Sequence, residues 1–147
     1  MIQRYTRLTA TLDRADWLLP TLARVVFVGV LLLYFWVSAL TKLGDGVAGL
    51  VWLSDTTWAE FLLPLCIAIG LLTRLAALGM IVFVAVQSYV DIHGHDVGAK
   101  ATGAWFDHVS GAAILDQRAL WVLLLLILVI KGAGPVSLDA ALRSARR

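Results

Sequence analysis

Residues 59–90 read AEFLLPLCIAIGLLTRLAALGMIVFVAVQSYV, and the polar pair Thr73-Arg74 near the middle decides how the chain folds. As a single helix the stretch would be roughly 48 Å long at 1.5 Å per residue, well beyond the ~30 Å hydrocarbon thickness of a bilayer. It would also carry Arg74 deep into any bilayer it crossed, at a cost of at least about 2.5–3.5 kcal/mol. Folded into a hairpin about Thr73-Arg74, the same residues make two apolar helices and leave the guanidinium at an interface. The hairpin is the cheaper arrangement.

Two further apolar stretches flank this hairpin, residues 20–40 with VVFVGVLLLYFWVSAL and residues 119–130, ALWVLLLLILVI. The chain has 147 residues, 61% of them hydrophobic and 15% charged, with a mean hydropathy of +0.87. A soluble domain carries about 45–50% apolar and about 25% charged residues, and a chain this short cannot hide the excess in a core of its own. The expectation is an all-α membrane protein, a four-transmembrane-helix bundle with an N-terminal amphipathic helix lying at the interface. Three regions follow: residues 1–18 as an amphipathic segment with Ile2, Tyr5, Leu8 and Leu12 at helical spacing, 19–135 as the bundle, and 136–147 as a basic tail. Gly132 and Gly134-Pro135 end the last helix, and Ser137 is placed to cap a short tail helix over 138–142. The single cysteine, Cys66, excludes an internal disulfide and a CxxC site, and within its apolar run it reads as a small hydrophobe.

Basic residues set the expected orientation. With four crossings, Arg4, Arg7, Arg14, Arg24, Arg74, Lys131, Arg143, Arg146 and Arg147 share one side, against Lys42, Lys100 and Arg118 on the other. The positive-inside rule then puts both termini in the cytoplasm. Most of the acids and all three histidines fall on the outer side. Trp36, Trp52, Trp58, Tyr89, Trp105 and Trp121 fall near the outer interface, where amphipathic rings settle. The arginines being explained by topology, nucleic acid is not an expected partner; the expected ones are a lipid bilayer, a protein partner in a membrane complex and a possible second copy of the chain.

Polar residues close to apolar segments are the candidates for function. Arg24 enters the first helix about one turn in, either snorkelling to the headgroups or pairing inside the bundle. Lys42 and Glu60 stand at the expected outer ends of the first and second helices. Pro64 cannot donate to the Glu60 carbonyl, which leaves a backbone acceptor beside that carboxylate. With Asp91 and His93 these residues outline a polar pocket for a ligand such as a quinone headgroup. Arg24, Pro64 and Arg74 are expected to be structural. On extended backbone His93 and His95 would point the same way, and with Asp96 and His108 they form a nitrogen and oxygen set suited to a transition metal. No nucleotide-binding, nucleophile-elbow or zincin motif is present.

Several of these features together resemble the DoxX family of small bacterial membrane proteins: Leu22-Ala-Arg24, Leu40-Thr-Lys42-Leu43, Glu60, Gly70-Leu-Leu-Thr-Arg-Leu-Ala-Ala77, and the ending Gly132-Ala-Gly134-Pro-Val-Ser137-Leu-Asp139. The resemblance covers about residues 20–142 and departs from the family in the long segment 91–118. It implies a four-helix protein of the bacterial inner membrane. Its relatives include a small membrane subunit linked to a thiosulfate:quinone oxidoreductase, and members tied to thiol and oxidative-stress systems. The expected function is a small membrane subunit of a quinone-linked redox system, an accessory rather than a stand-alone enzyme, with no tightly bound cofactor. A periplasm-facing metal-binding or trafficking protein and a structural anchor without a ligand are the alternatives.

Overall fold

A computed structural model describes residue 10 and residues 15–43, 56–106, 108 and 110–146, with the side chains of residues 42, 43, 56 and 57 outside that description. All regular elements among the described residues are helical. α1 (Leu18–Phe27), a π-helical segment (Val28–Leu32) and α2 (Leu33–Leu43) follow one another without a break. α3 (Thr56–Ile69) and α4 (Thr73–His93) form the hairpin, α5 (Ala99–Thr102) is a single turn, a second π-helical segment (Ala113–Arg118) runs into α6 (Ala119–Lys131), and α7 (Leu138–Ala145) ends the chain. The amphipathic helix expected over residues 1–18, as well as Trp52 and Asp107, lie outside the described residues apart from residues 10 and 15–18.

α2 packs along α3, α3 along α4, α4 along α6, and α6 against α1. Arg24, in the last turn of α1 but in the first third of the unbroken run Leu18–Leu43, reaches the last turn of α3 and the residues after α6, so successive long helices alternate in direction. The shared core is Phe27, Leu31, Phe35, Ile67, Met80, Val84, Leu125 and Leu128. In the first helix, after the buried Pro20, the buried residues are Ala23, Phe27, Leu31, Phe35 and Ala39, one every fourth position. On a straight α-helix of 3.6 residues per turn such a series drifts by about 40° per step. The wider π-turns at Val28–Leu32 rotate less per residue and bring the later members back toward the core. Gly79 lets α3 and α4 close on each other, since a Cβ there would stand 3.1 Å from a methyl of Leu63.

Three helices, Leu18–Thr41, Thr73–His93 and Ala113–Lys131, are long and apolar enough to cross a membrane. Their outward faces carry Val25, Leu33, Val37, Leu75, Val82, Val86, Leu120 and Leu123 exposed, the surface a lipid-facing helix needs. α3, with 14 residues, spans only roughly 21 Å at 1.5 Å per residue. It continues through the buried Pro64 as one helix.

The hairpin turn sits slightly earlier than the polar pair suggests. α3 stops at Ile69, residues 70–72 make the turn, and Thr73-Arg74 open α4. The segment 91–118 is also less of a loop than expected, because α4 extends to His93 and helix resumes at Ala113.

Candidate functional site

Polar side chains collect at both ends of the bundle. At the first end, Arg24 donates Nε to the Ile67 carbonyl at 3.1 Å, Nη2 to Ala68 at 2.7 Å, and Nη1 to Ala133 at 2.9 Å and to Val136. The carbonyls of a helix's last turn have no partner within their own helix. Here the guanidinium fork supplies one for α3 and ties α3 and the residues after α6 to α1. Arg24 thus spends its donors on protein carbonyls rather than on solvent.

The tail completes this end. Ser137 Oγ accepts from the Ala140 N–H at 3.1 Å and caps α7. Asp139 in the first turn of α7 accepts from the N–H groups of Leu72 at 2.8 Å and Thr73 at 3.0 Å, while its own N–H donates to the Gly70 carbonyl at 2.8 Å. Asp139 therefore acts as an N-cap for α4 from another part of the chain, with its charge at the favourable end of the helix dipole. Partial burial pushes its carboxyl up, but the hydrogen bonds from Thr73 and Leu72 and the nearby Arg143 outweigh this and hold it below the ordinary carboxylate range. Leu72, next to this cap, is held at φ +49°. Gly70, at φ +73°, could not carry a side chain, because a Cβ would stand 2.5 Å from Ser137 Cβ and 3.0 Å from the Arg24 guanidinium carbon. Arg74 donates to the Ile130 carbonyl at 3.2 Å, and Lys131 pairs with Asp16 at 2.7 Å on the surface.

At the other end Arg118 is buried and donates to Ser88 Oγ at 3.1 Å and to the Asp91 carboxylate. Asp116 in the same π-segment accepts from the Ala112 N–H at 2.8 Å. Asp91, expected beside His93 in a ligand pocket, instead joins the end of α4 to the start of α6. The extended backbone expected between His93 and His95 is not found. α4 continues through His93, and the N–H groups of Gly94 and His95 both donate to the Val90 carbonyl, at 2.7 and 3.1 Å. Favourable helical hydrogen bonds thus carry the chain past the point where the sequence suggested a strand-like pair. His93 lies over the Tyr89 ring with centroids 4.4 Å apart, its Nδ1 3.1 Å from the Tyr89 carbonyl. His95, Asp96 and His108 are exposed. Among the described residues no group of three His, Cys, Asp or Glu side chains is placed to hold a metal ion.

Between the two ends, Glu60 is buried to 1% exposure on the face of α3 that also carries Pro64 and Ile67. The next residue, Phe61, has its ring 6.3 Å from that of Trp36. Trp36 Nε1 and, on α4, Gln87 Oε1 are both buried with no hydrogen-bond partner among the described residues. Tyr34, Phe35, Phe83 and Trp121 form a chain of ring contacts at 5.2 to 6.2 Å across α2, α4 and α6. Lys42 belongs to the last turn of α2, and its side chain is outside the described residues.

Fold and polar groups together define a class: an all-helical protein with three helices able to cross a membrane, locked at both ends by arginine and aspartate. Comparison with protein-family models, with curated proteins and with solved structures gives no match to this chain. The functional reading therefore starts from the residues.

Proposed function

We propose that this chain is a DoxX-like, four-crossing protein of the bacterial inner membrane, with both termini cytoplasmic, that serves as a small subunit of a quinone-linked redox system. Four crossings are supported by where the chain returns. It leaves the Arg24 end along α1, and by Ile67 it is back at Arg24. α3 is short for a bilayer, but the carbonyls of its last turn meet Arg24 rather than lipid, which meets the requirement that backbone at membrane depth be paired. Five of the basic residues described, Arg24, Arg74, Lys131, Arg143 and Arg146, belong to the end assigned to the cytoplasm. The motifs that carry the DoxX resemblance meet one another there, Gly70 against Ser137 and Asp139 against Leu72 and Thr73.

The observation that carries the quinone reading is the Trp36 indole N–H, buried with no partner among the described residues, beside the ring of Phe61, which follows the buried Glu60. A quinone headgroup is a flat ring with two acceptor oxygens, and the Trp36 indole N–H is a donor for one of them among aromatic rings. Lys42 lies in the last turn of α2 and His93 at the end of α4, each roughly one to two turns beyond Trp36 and Gln87 on the same helix, and no resident cofactor is required. The test is titration of the purified protein with a short-chain ubiquinone, followed by tryptophan fluorescence. Saturable quenching that weakens at least about tenfold in Glu60→Gln or Trp36→Phe is expected, corresponding to about 1.4 kcal/mol. Unsaturable quenching, identical in the variants, would sink the reading.

A structural anchor is the second reading, favoured by Arg24 and Arg118, whose donors are engaged by protein acceptors. It predicts that Glu60→Gln lowers stability in detergent and leaves quinone titration unchanged. A periplasmic metal site at His93, His95, Asp96 and His108 would require the chain beyond α4 to rearrange. Metal analysis of untagged protein, with and without His93→Ala and His95→Ala, decides it.

A further inference from the structure

We propose that the cleft between the turn at residues 70–72, Gly132-Ala133 and α7 binds the phosphate of one anionic phospholipid headgroup. The inference rests on the membrane reading above and adds a ligand at the end of the bundle away from the quinone zone. The cleft has a volume of about 340 Å³ and is lined by Arg74, Arg143 and Arg146. Its one carboxylate, Asp139, is already held by the N–H groups of Leu72 and Thr73. Among the described residues none of the three arginines lies within ion-pair distance of a carboxylate. Three guanidinium groups against the single Asp139 carboxylate, which attracts Arg143, still leave the cleft positive, and arginine forks match phosphate oxygens two at a time.

The rim shows why the occupant is a lipid and not a free anion. Leu72, Leu75 and Leu142 line the same cleft and are exposed by 59%, 66% and 50%. Leu75 begins the apolar outer face of α4 that continues through Leu78, Val82 and Val86. A phosphate seated among the arginines would have its glycerol and acyl chains directed onto that wall. α7 lies alongside with Leu138 and Leu142 exposed, an amphipathic arrangement suited to the headgroup layer.

Native mass spectrometry of the detergent-purified full chain, given equimolar phosphatidylglycerol and phosphatidylcholine, tests this. Wild type is expected to retain one phosphatidylglycerol in preference to phosphatidylcholine. The double variant Arg143→Gln/Arg146→Gln should lose about thirtyfold of that preference, in line with about 1 kcal/mol per basic residue near an anionic surface, while Lys100→Gln at the opposite end keeps it. Both arginines are exposed on α7, and an unchanged unfolding midpoint would show that the variant is folded. Equal retention of both lipids, or a preference that survives the double substitution, overturns the proposal and leaves the membrane reading standing. Displacement by millimolar inorganic phosphate would show a site for the free anion and also overturns it. Retention of no lipid of either kind overturns the site in the same way.

Discussion

Arg24 donates to carbonyls from two separate stretches of chain, one ending α3 and one following α6. Replacing it with alanine takes the partner from the Ala68, Ala133 and Val136 carbonyls, while the Ile67 carbonyl keeps the Gly70 N–H at 3.2 Å. At about 1–3 kcal/mol for each polar group left unsatisfied, with some recovered by water, the loss is expected to be about 3 kcal/mol or more. Arg24→Lys should recover only part of this, because a compact ammonium cannot replace a planar fork of donors. Thermal unfolding in detergent measures both. Asp139 makes a pH-dependent contribution. Its folded pKa lies below its unfolded value, so the stability it confers is present above the unfolded pKa of about 3.9 and is lost as pH falls through the folded one. Asp139→Asn should cost about 1 kcal/mol at neutral pH, as a lost charged cap does. Between about pH 6 and pH 3 the variant should lose less stability than wild type, the carboxylate being already gone. A variant as acid-sensitive as wild type would count against the cap. Arg24 and Arg74 could be picked out in the sequence, since a guanidinium beside an apolar run demands an explanation. Asp139 could not, because its partners are backbone N–H groups 66 and 67 residues away. The role of Arg118 is hidden in the sequence for the same reason, its partner Asp91 lying 27 residues earlier.

At the scale of elements, helix existence was plain in the sequence and helix ends were not. The run from Ala23 to Ala39 buries every fourth residue, a periodicity that the sequence displays but that composition alone hides, since its neighbours on the lipid side are just as apolar. The helix therefore looks uniform until packing separates its faces. The hairpin turn was misplaced by a few residues because the polar pair attracts attention while Gly70 does the turning. Asp139 and Arg24, neither of them near in sequence, set where α3 stops and α4 starts. Gly70→Ala should therefore destabilise the protein by about 1–3 kcal/mol, the cost of a strained backbone conformation, with the clash against Ser137 adding to it. Gly98→Ala serves as the control, since a Cβ there meets nothing within 4 Å. Unfolding midpoints that fall equally in both would mean that the turn is not the tight contact described.

For the whole molecule, the decisive issue is whether α3 carries the chain back across the membrane. The first third of the run Leu18–Leu43, the end of α3, the start of α4 and the residues after α6 meet through Arg24, Asp139 and Arg74. If α1, α4 and α6 cross, the chain between α2 and α4 must cross too, or this meeting could not occur. The expectation of four helices from the sequence rests on different ground, the cost of burying Arg74, and the two arguments have only Thr73 and Arg74 in common. Single cysteines in a Cys66→Ala background provide the test. In intact cells His95→Cys is expected to react with an impermeant thiol reagent, while Ala10→Cys, before α1, and Ser144→Cys, on α7, both exposed, react only after the membrane is opened. Labelling of positions 10 and 144 but not 95 in intact cells would keep an even number of crossings and invert the orientation. Labelling of only one of positions 10 and 144 would put the two on opposite sides, which an odd number of crossings requires, and would mean that α3 does not carry the chain across.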